Sequence, residues 1–150
     1  ARPESPEIRA GPCGADRLGA ARASGGTRAG AKRVRPEQLA REPFLTREKG
    51  SAVREITDAY FAVAGLTITP VMESTGTQAL LNAAERGIGV AILPYLLAKE
   101  RLDSGTLCEI PLVPEIKRDL NIIRHKSKFL SPAVEEFCAL WKTNNTPKNI

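Results

Sequence analysis

The sequence predicts an α/β fold with a mostly parallel β-sheet. From residue 36 onward, strand-like apolar stretches alternate with stretches of helical periodicity, which is the order expected of βα units. The run "IGVAILP" (88–94) is continuously apolar, as is typical of a strand buried on both faces. Roughly 107 residues, 36–142, are regular enough to form a small core.

The first elements of this region are a helical turn, a strand and a helix. The turn is "PEQLA", which starts with Pro36, and the strand is "PFLT" (43–46). A helix follows, because apolar side chains recur at the spacing of one helical face: Val53, Ile56, Tyr60 and Phe61. Gly65 is expected to end this helix.

A strand and a second helix come next. The strand is "LTITPVME" (66–73), in which Pro70 is tolerable at an edge or at the strand entry. The segment "TGTQ" (75–78) fits a capping box, in which the Thr75 side chain caps the helix and a Gln three residues later reaches back. Leu80, Leu81 and Ala84 form its apolar stripe, and Gly87 is expected to end it.

The last elements begin with the apolar strand 88–94. The short helix "YLLAKERL" follows, and then the strands "GTLCEIPLV" (105–113) and "DLNIIRHK" (119–126). Ser131 and Pro132 open the final helix. Its apolar residues again follow helical spacing: Val134, Phe137, Cys138 and Trp141.

Composition changes near residue 35. Residues 1–35 hold eight Lys or Arg and three Asp or Glu, whereas residues 36–150 hold fourteen of each, so the net charge of +5 arises in the first segment. Ala, Gly, Arg and Pro fill 24 of its 35 positions. Such a segment buries too little apolar surface to offset its ordering entropy, and we predict a disordered basic segment. The predicted organisation is therefore a disordered segment (1–35), a domain (36–142) and a polar tail (143–150).

Two other interpretations of residues 1–35 stay open. The segment is basic enough to touch phosphates, although it has no aromatic residue for base stacking. Its dominant residues are also those of GC-rich codons, so out-of-frame translation is a further hypothesis. The upstream DNA, read in the other two frames, tests it.

Several functional classes lack their sequence signals. The three cysteines (Cys13, Cys108 and Cys138) are too few and scattered for a disulfide framework or zinc site, and His125 lies in the polar run "RHKSK". The "GIG" at 87–89 follows a helix and precedes a strand, the reverse of a dinucleotide-binding loop. No apolar run approaches the roughly 20 residues of a membrane span, and no secretory signal is present. We therefore expect a cytoplasmic protein that is not an enzyme, with no metal, no cofactor and no membrane contact.

Two strand-to-helix junctions are the candidate ligand-binding places. Ligands of open α/β sheets bind beyond the carboxyl ends of strands, where helix N-termini present N–H groups. The first junction is "LTREKGS", with Thr46 and Ser51, and the second is "MESTGT", with Glu73, Ser74 and Thr75. Hydroxyls beside such N–H groups suit a carboxylate or another small anion. Simple capping of their own helices by Ser51 and Thr75 is the competing interpretation.

Three segments together resemble the effector-binding domain of LysR-type transcriptional regulators. They are "PEQLAREPFLTREKGSAVREITDAYFAVAGL", "ESTGTQALLNAAERGIGVAILP" and "GTLCEIPL", and the end "DLNIIRHKSKFLSPAVEEFCALW" resembles the family's C-terminal strand and helix. The resemblance covers about residues 34–142. It implies a type 2 periplasmic-binding-protein-like fold, here largely one lobe with a Rossmann-like sheet plus a returning strand and helix of the other lobe.

The resemblance also implies a function. In this family a small metabolite binds between two lobes, a winged helix-turn-helix binds DNA, and the full-length proteins form homo-oligomers. By position, Thr46 and Thr75 match effector contacts of the family, and Ser51, Glu73 and Ser74 flank them. The chain departs from the family pattern because residues 1–35 do not resemble the winged helix or the first half of lobe one, so we expect a fragment.

The leading hypothesis is the effector-sensing part of a LysR-family regulator, whose effector is a small and anionic molecule. A solute-binding protein of the same fold and a non-functional product of a truncated or frameshifted gene are the alternatives.

Overall fold

A computed structural model describes residues 6–25 and 33–144. Parts of the predicted disordered segment (1–5 and 26–32) and of the predicted tail (145–150) lie outside the described residues. The elements are β1 (Ile8–Ala23), α1 (Pro36–Leu39), β2 (Phe44–Arg47), α2 (Ala52–Ala62), β3 (Met72–Ser74), α3 (Thr77–Glu85), β4 (Val90–Pro94), α4 (Tyr95–Asp103), β5 (Leu107–Ile110), β6 (Ile116–His125) and α5 (Pro132–Asn144).

The chain divides into two compact units, of which the larger is Arg17–Ile116. Its strands lie in the order β3-β2-β4-β1-β5. Strand β2 runs parallel to β3 and β4, whereas β1 runs antiparallel to β4 and β5. The α/β class is confirmed, but the sheet is mixed rather than mostly parallel, because a strand from the N-terminal segment enters it in the opposite direction.

Strand β1 contradicts the prediction that residues 1–35 are disordered. Ile8–Ala23 forms a strand of 16 residues, in which Leu18, Ala20 and Ala21 are buried. Small side chains suit this position, since a Cβ on Gly19 would lie 2.8 Å from Glu109 Oε1. Composition failed as a guide because β4 and β5, which flank this strand, supply the apolar surface that the segment itself lacks.

Two apolar clusters form the core of the larger unit, and alternate residues of each strand contribute to one or the other. Helix α2 packs on the first cluster through the predicted face, with the Phe61 ring edge-on to Phe44 and Tyr60 at 5.3 Å between centroids in both pairs. Helix α3 packs on the second through Leu80, Leu81 and Ala84. The apolar faces predicted for α2 and α3 are therefore confirmed.

The predicted strand 66–73 is mostly irregular. Only Met72–Ser74 pairs as a strand, and residues 66–70 have no regular structure. Pro70 has no N–H to donate to a neighbouring strand. Leu66 and Ile68 instead pack against the first cluster as partly buried side chains, which accounts for the apolar alternation of this stretch.

Glycines fix the turn between α3 and β4. Gly87 has a φ of +75°, and the Gly87 and Ile88 amides donate to Ala84 and Ala83 carbonyls, so the predicted helix end at Gly87 is confirmed. A Cβ on Gly89 would lie 2.4 Å from the Pro43 carbonyl oxygen. This contact lets Val90 donate to the same oxygen at 2.8 Å, which joins β4 to the start of β2.

The smaller unit comprises Ala1–Asp16 and Lys117–Ile150. Here β6 pairs with β1, and α5 begins after Ser131, as predicted. Asp16 is buried and accepts from Arg118 Nε at 3.1 Å and Nη2 at 2.7 Å, while the Trp141 indole donates to the Cys13 carbonyl at 2.8 Å. No described helix is long and apolar enough to cross a membrane.

Candidate functional site

The two predicted junctions lie side by side at the carboxyl ends of β2 and β3. The strands are parallel neighbours, with Thr46 opposite Glu73 and Arg47 opposite Ser74. Helix α2 follows β2 and helix α3 follows β3, so both helices begin at this end of the sheet. The structure thus brings together the two short motifs that the sequence separates by about 25 residues.

A buried arginine that sequence analysis missed connects these motifs. Arg54 on α2 is 7% exposed, and its Nη1 donates to Thr46 Oγ1 at 3.1 Å and to Glu73 Oε2 at 2.8 Å. The same nitrogen donates to the Arg47 carbonyl at 3.1 Å, and Nε donates to both Asp58 carboxylate oxygens. One side chain therefore joins β2, β3 and α2. The only sequence signal for this role was an Arg–Asp pair at a spacing of four residues, Arg54 and Asp58. Such pairs are equally common on exposed helix faces, so the spacing alone does not indicate a buried arginine.

The carboxylates of Glu73 and Asp58 stabilise the positive charge of Arg54. Burial lowers the pKa of this guanidinium, but the bonds to Glu73 and Asp58 outweigh burial, so the pKa is raised above its ordinary value. Thr46 is 4% exposed, and its hydroxyl accepts from Arg54. Thr46 and Glu73 are thus engaged within the domain, and they position Arg54 and the strand ends.

A second arginine links β2 to the start of α3. Arg47 Nη1 donates to Thr77 Oγ1 at 3.0 Å, while Nε and Nη2 donate to the two carboxylate oxygens of Glu48 at 2.8 and 2.9 Å. The bonds from Arg47 lower the pKa of Glu48. Arg47 therefore lies between the junctions as a partly exposed cation, and sequence analysis did not select it.

The capping interpretation of Ser51 and Thr75 is wrong. Ser51 is the N-cap residue of α2, but its hydroxyl makes no capping bond. Helix α3 starts one residue later than predicted, with Gly76 as N-cap, so Thr75 lies outside the helix and is exposed. Ser74 Oγ instead accepts from the Gly76 amide at 3.2 Å. The Ser51 and Thr75 hydroxyls are thus not committed to helix amides.

The arrangement offers hydrogen-bond donors to a small anion. The first N–H groups of α2 and α3 have no acceptor within their own helices, and both helix dipoles place their positive ends here. Ser51 is the N-cap residue of α2, Thr75 directly precedes the N-cap residue of α3, and Arg47 donates to Thr77 in the first turn of α3. No group of three or more His, Cys, Asp or Glu suited to a metal occurs within residues 6–25 and 33–144.

Comparison with protein families places these features in context. The LysR substrate binding domain family matches residues 1–145, which includes the segment that sequence analysis left outside the resemblance. The chain is 34% identical over 114 residues to the uncharacterized HTH-type transcriptional regulator YeiE of Escherichia coli K12. It is 31% identical over 108 residues to the HTH-type transcriptional activator CmpR of Synechocystis. These matches cover 75% and 71% of this chain, but only 39% and 35% of the two regulators.

Solved structures show the same fold. The Synechocystis CcmR regulatory domain, in complex with 2-PG, superposes with a TM-score of 0.84 at 20% identity, over 99% of this chain and 72% of that chain. The effector binding domain of QuiR, in complex with shikimate, also superposes with a TM-score of 0.84, at 16% identity, over 100% and 71% of the two chains. The predicted periplasmic-binding-protein-like fold is thereby confirmed.

Proposed function

The chain belongs to the LysR substrate-binding domain family, and from this membership we propose that it is the effector-sensing part of a LysR-type transcriptional regulator. The proposed effector is a small anionic metabolite, held at the carboxyl ends of β2 and β3. One observation carries the proposal: two helix N-termini, two uncommitted hydroxyls and Arg47 lie together at neighbouring parallel strands.

The chemistry of the neighbours' ligands supports an anion. The structures of CcmR and QuiR contain 2-PG and shikimate, which are both small anionic molecules. An anion-binding site in this chain would agree with the charge of these ligands. Helix N-termini and hydroxyls suit carboxylate and phosphate oxygens alike.

The site residues take two roles in this proposal. Ser51, Ser74 and Thr75 contact the effector with their hydroxyls, next to the first amides of α2 and α3. Thr46 and Glu73 act through Arg54, which fixes the relative positions of β2, β3 and α2. The five residues predicted from the sequence are therefore kept, but two of them become positioning residues.

Titration of the ¹⁵N-labelled full chain with 2-PG and with shikimate, followed by ¹H–¹⁵N NMR, tests the proposal. We expect saturable shifts at the amides of Ser51–Arg54 and Thr75–Gln78, with a dissociation constant on the order of 1 mM, because the donors are partly exposed to water. Thr75→Ala and Arg47→Gln should each weaken binding by roughly tenfold, which is about 1.4 kcal/mol.

Exposed residues elsewhere provide matched controls. Thr67→Ala and Arg41→Gln remove the same groups from exposed positions outside the site and should leave the titration unchanged. Absence of saturable shifts with any small carboxylate or phosphate, or equal weakening by both control variants, contradicts the proposed site.

We also infer the setting of this domain within a regulator. The whole regulator would bind DNA through a winged helix-turn-helix in another part of the protein, act as a homo-oligomer and work in the cytoplasm, where its DNA lies. The regulatory family supports a binding role rather than an enzymatic one. Expression of the chain fused to a winged helix from a relative, with a promoter–reporter assay, tests whether an effector response is transmitted.

A further inference from the structure

Strand β1 contains a buried arginine whose hydrogen bonds are incomplete. Arg22 lies opposite Cys108 of β5 and is 8% exposed. Its Nε and Nη2 atoms are buried and have no hydrogen-bond partner within the described part of the chain. Strand alternation places Arg22 on the same face as Leu18 and Ala20, which belong to the first core cluster. A guanidinium thus occupies a position suited to an apolar side chain.

Burial of a charged group without partners is unfavourable, and the side chain therefore favours any acceptor that can reach it. A pocket of about 270 Å³ adjoins Arg22, with Glu42, Pro43, Gly87 and Gly89 also in its wall. A Cβ on Gly87 would meet nothing within 4 Å, so this wall is open. The pocket lies at the amino ends of β2 and β4, at the opposite end of these strands from the proposed effector site.

We propose that this pocket binds a small carboxylate through the Nε–Nη2 edge of Arg22, as a second site distinct from the effector site. The two unpartnered nitrogens lie on one edge of the guanidinium, and two parallel donors on one edge match the two oxygens of a carboxylate. Both nitrogens are covered in this structure, so binding includes a turn of the guanidinium about its last side-chain bonds toward the pocket. Glu42 in the pocket wall favours a monoanion over a dianion, since a second negative charge would be repelled.

NMR of the arginine Nε–H groups in the full chain, with acetate as the probe, tests this site. The Arg22 signal is assigned by its absence in Arg22→Lys. We expect acetate to move this signal saturably, and chloride at the same ionic strength to leave it in place. Phosphate should bind more weakly than acetate, because part of it is dianionic at neutral pH and Glu42 repels the second negative charge.

Stability measurements provide an independent readout. Acetate should raise the urea midpoint of the wild type, because a ligand that binds only the folded state stabilises it. Arg22→Met should lose this response, and it should be at least as stable as the wild type without acetate, because the unpartnered donors are gone. Arg22→Lys keeps the charge but lacks the paired donors, so its acetate affinity should fall roughly tenfold.

Three outcomes overturn the proposal: an acetate response in Arg22→Met equal to that of the wild type, an equal response to chloride, or tighter binding of phosphate than of acetate. Thr75→Ala and Arg47→Gln, which address the effector site, should leave the Arg22 Nε–H response intact. Failure at one site is therefore distinguishable from failure at the other.

Discussion

Replacement of Arg54 by Met should destabilise the domain by about 2–4 kcal/mol. Met has an unbranched chain of similar width and fills much of the space of the arginine stem, so the main loss is that of hydrogen bonds. Thr46 Oγ1, which is buried, and the Arg47 carbonyl both lose their donor. A buried oxygen without a donor costs about 1–3 kcal/mol, and the partly exposed carbonyl adds about 1 kcal/mol.

The carboxylates contribute less to this estimate. Glu73 and Asp58 have side chains that are 43% and 53% exposed, so water replaces Arg54 at both when the guanidinium is removed. Ion pairs with partners this exposed contribute about 0–1 kcal/mol each. Asp58→Asn should consequently have a small effect, because the Asn side-chain oxygen can still accept from Arg54 Nε, whereas removal of Arg54 leaves the Thr46 hydroxyl without its partner.

Urea unfolding followed by far-UV circular dichroism measures the free energies of unfolding. The informative comparison is a double-mutant cycle with Thr46→Val, which removes the orphaned oxygen at constant shape. The double variant should be more stable than the sum of the single losses predicts, by about 1 kcal/mol. Asp58→Asn, the control, should cost less than about 1 kcal/mol. A loss below about 1 kcal/mol for Arg54→Met, or strict additivity in the cycle, refutes the reasoning.

Three further predictions use the same unfolding assay. Gly89→Ala should cost more than about 2 kcal/mol, because the new Cβ would lie 2.4 Å from the Pro43 oxygen, while Gly11→Ala, which has open space, should be neutral; equal effects would contradict this. Tyr60→Phe should cost about 1–2 kcal/mol, since the Tyr60 hydroxyl donates to the Val113 carbonyl at 3.1 Å. Burial raises the pKa of Tyr60, so this contribution is complete below about pH 10 and is lost as the pH rises further; the same alkaline loss in Tyr60→Phe would exclude this group as its source. Thr75→Ala should change stability by less than about 0.5 kcal/mol, because Gly76 is the N-cap, and a loss near 1 kcal/mol would restore the capping interpretation.

The elements that the sequence predicted are those with strong local signals. Helix α2 has an apolar face at helical spacing, β4 is a continuous apolar run, and Gly87 marks the end of α3. Strand β1 lacked such a signal, since its burial depends on β4 and β5, which are distant in sequence. Pro70 was the local sign that the stretch before β3 is irregular.

Part of the candidate site was also predicted from local sequence signals, and part was not. Strand-to-helix order placed Thr46, Ser51, Glu73, Ser74 and Thr75 at one end of a sheet, and the register of β2 with β3 agrees with that expectation. Arg54 was not identified because its partners belong to three different elements, and only the folded chain shows them together. The capping-box pattern "TGTQ" placed the start of α3 one residue too early, because Thr75 and Gly76 are both acceptable residues before a helix.

The position of β1 between β4 and β5 determines when this strand can pair during synthesis of the chain. Its partners, residues 91–94 and 107–110, leave the ribosome much later. At about 5–20 residues per second, the roughly 70 residues that separate β1 from β4 take several seconds to make. During that interval the backbone N–H and C=O groups of β1 cannot yet pair with β4 or β5. A segment rich in Gly, Ala and Arg has little tendency to form intermolecular strands while it is unpaired. We therefore expect the composition that conceals this strand from prediction to limit aggregation of the nascent chain before the partner strands are synthesised.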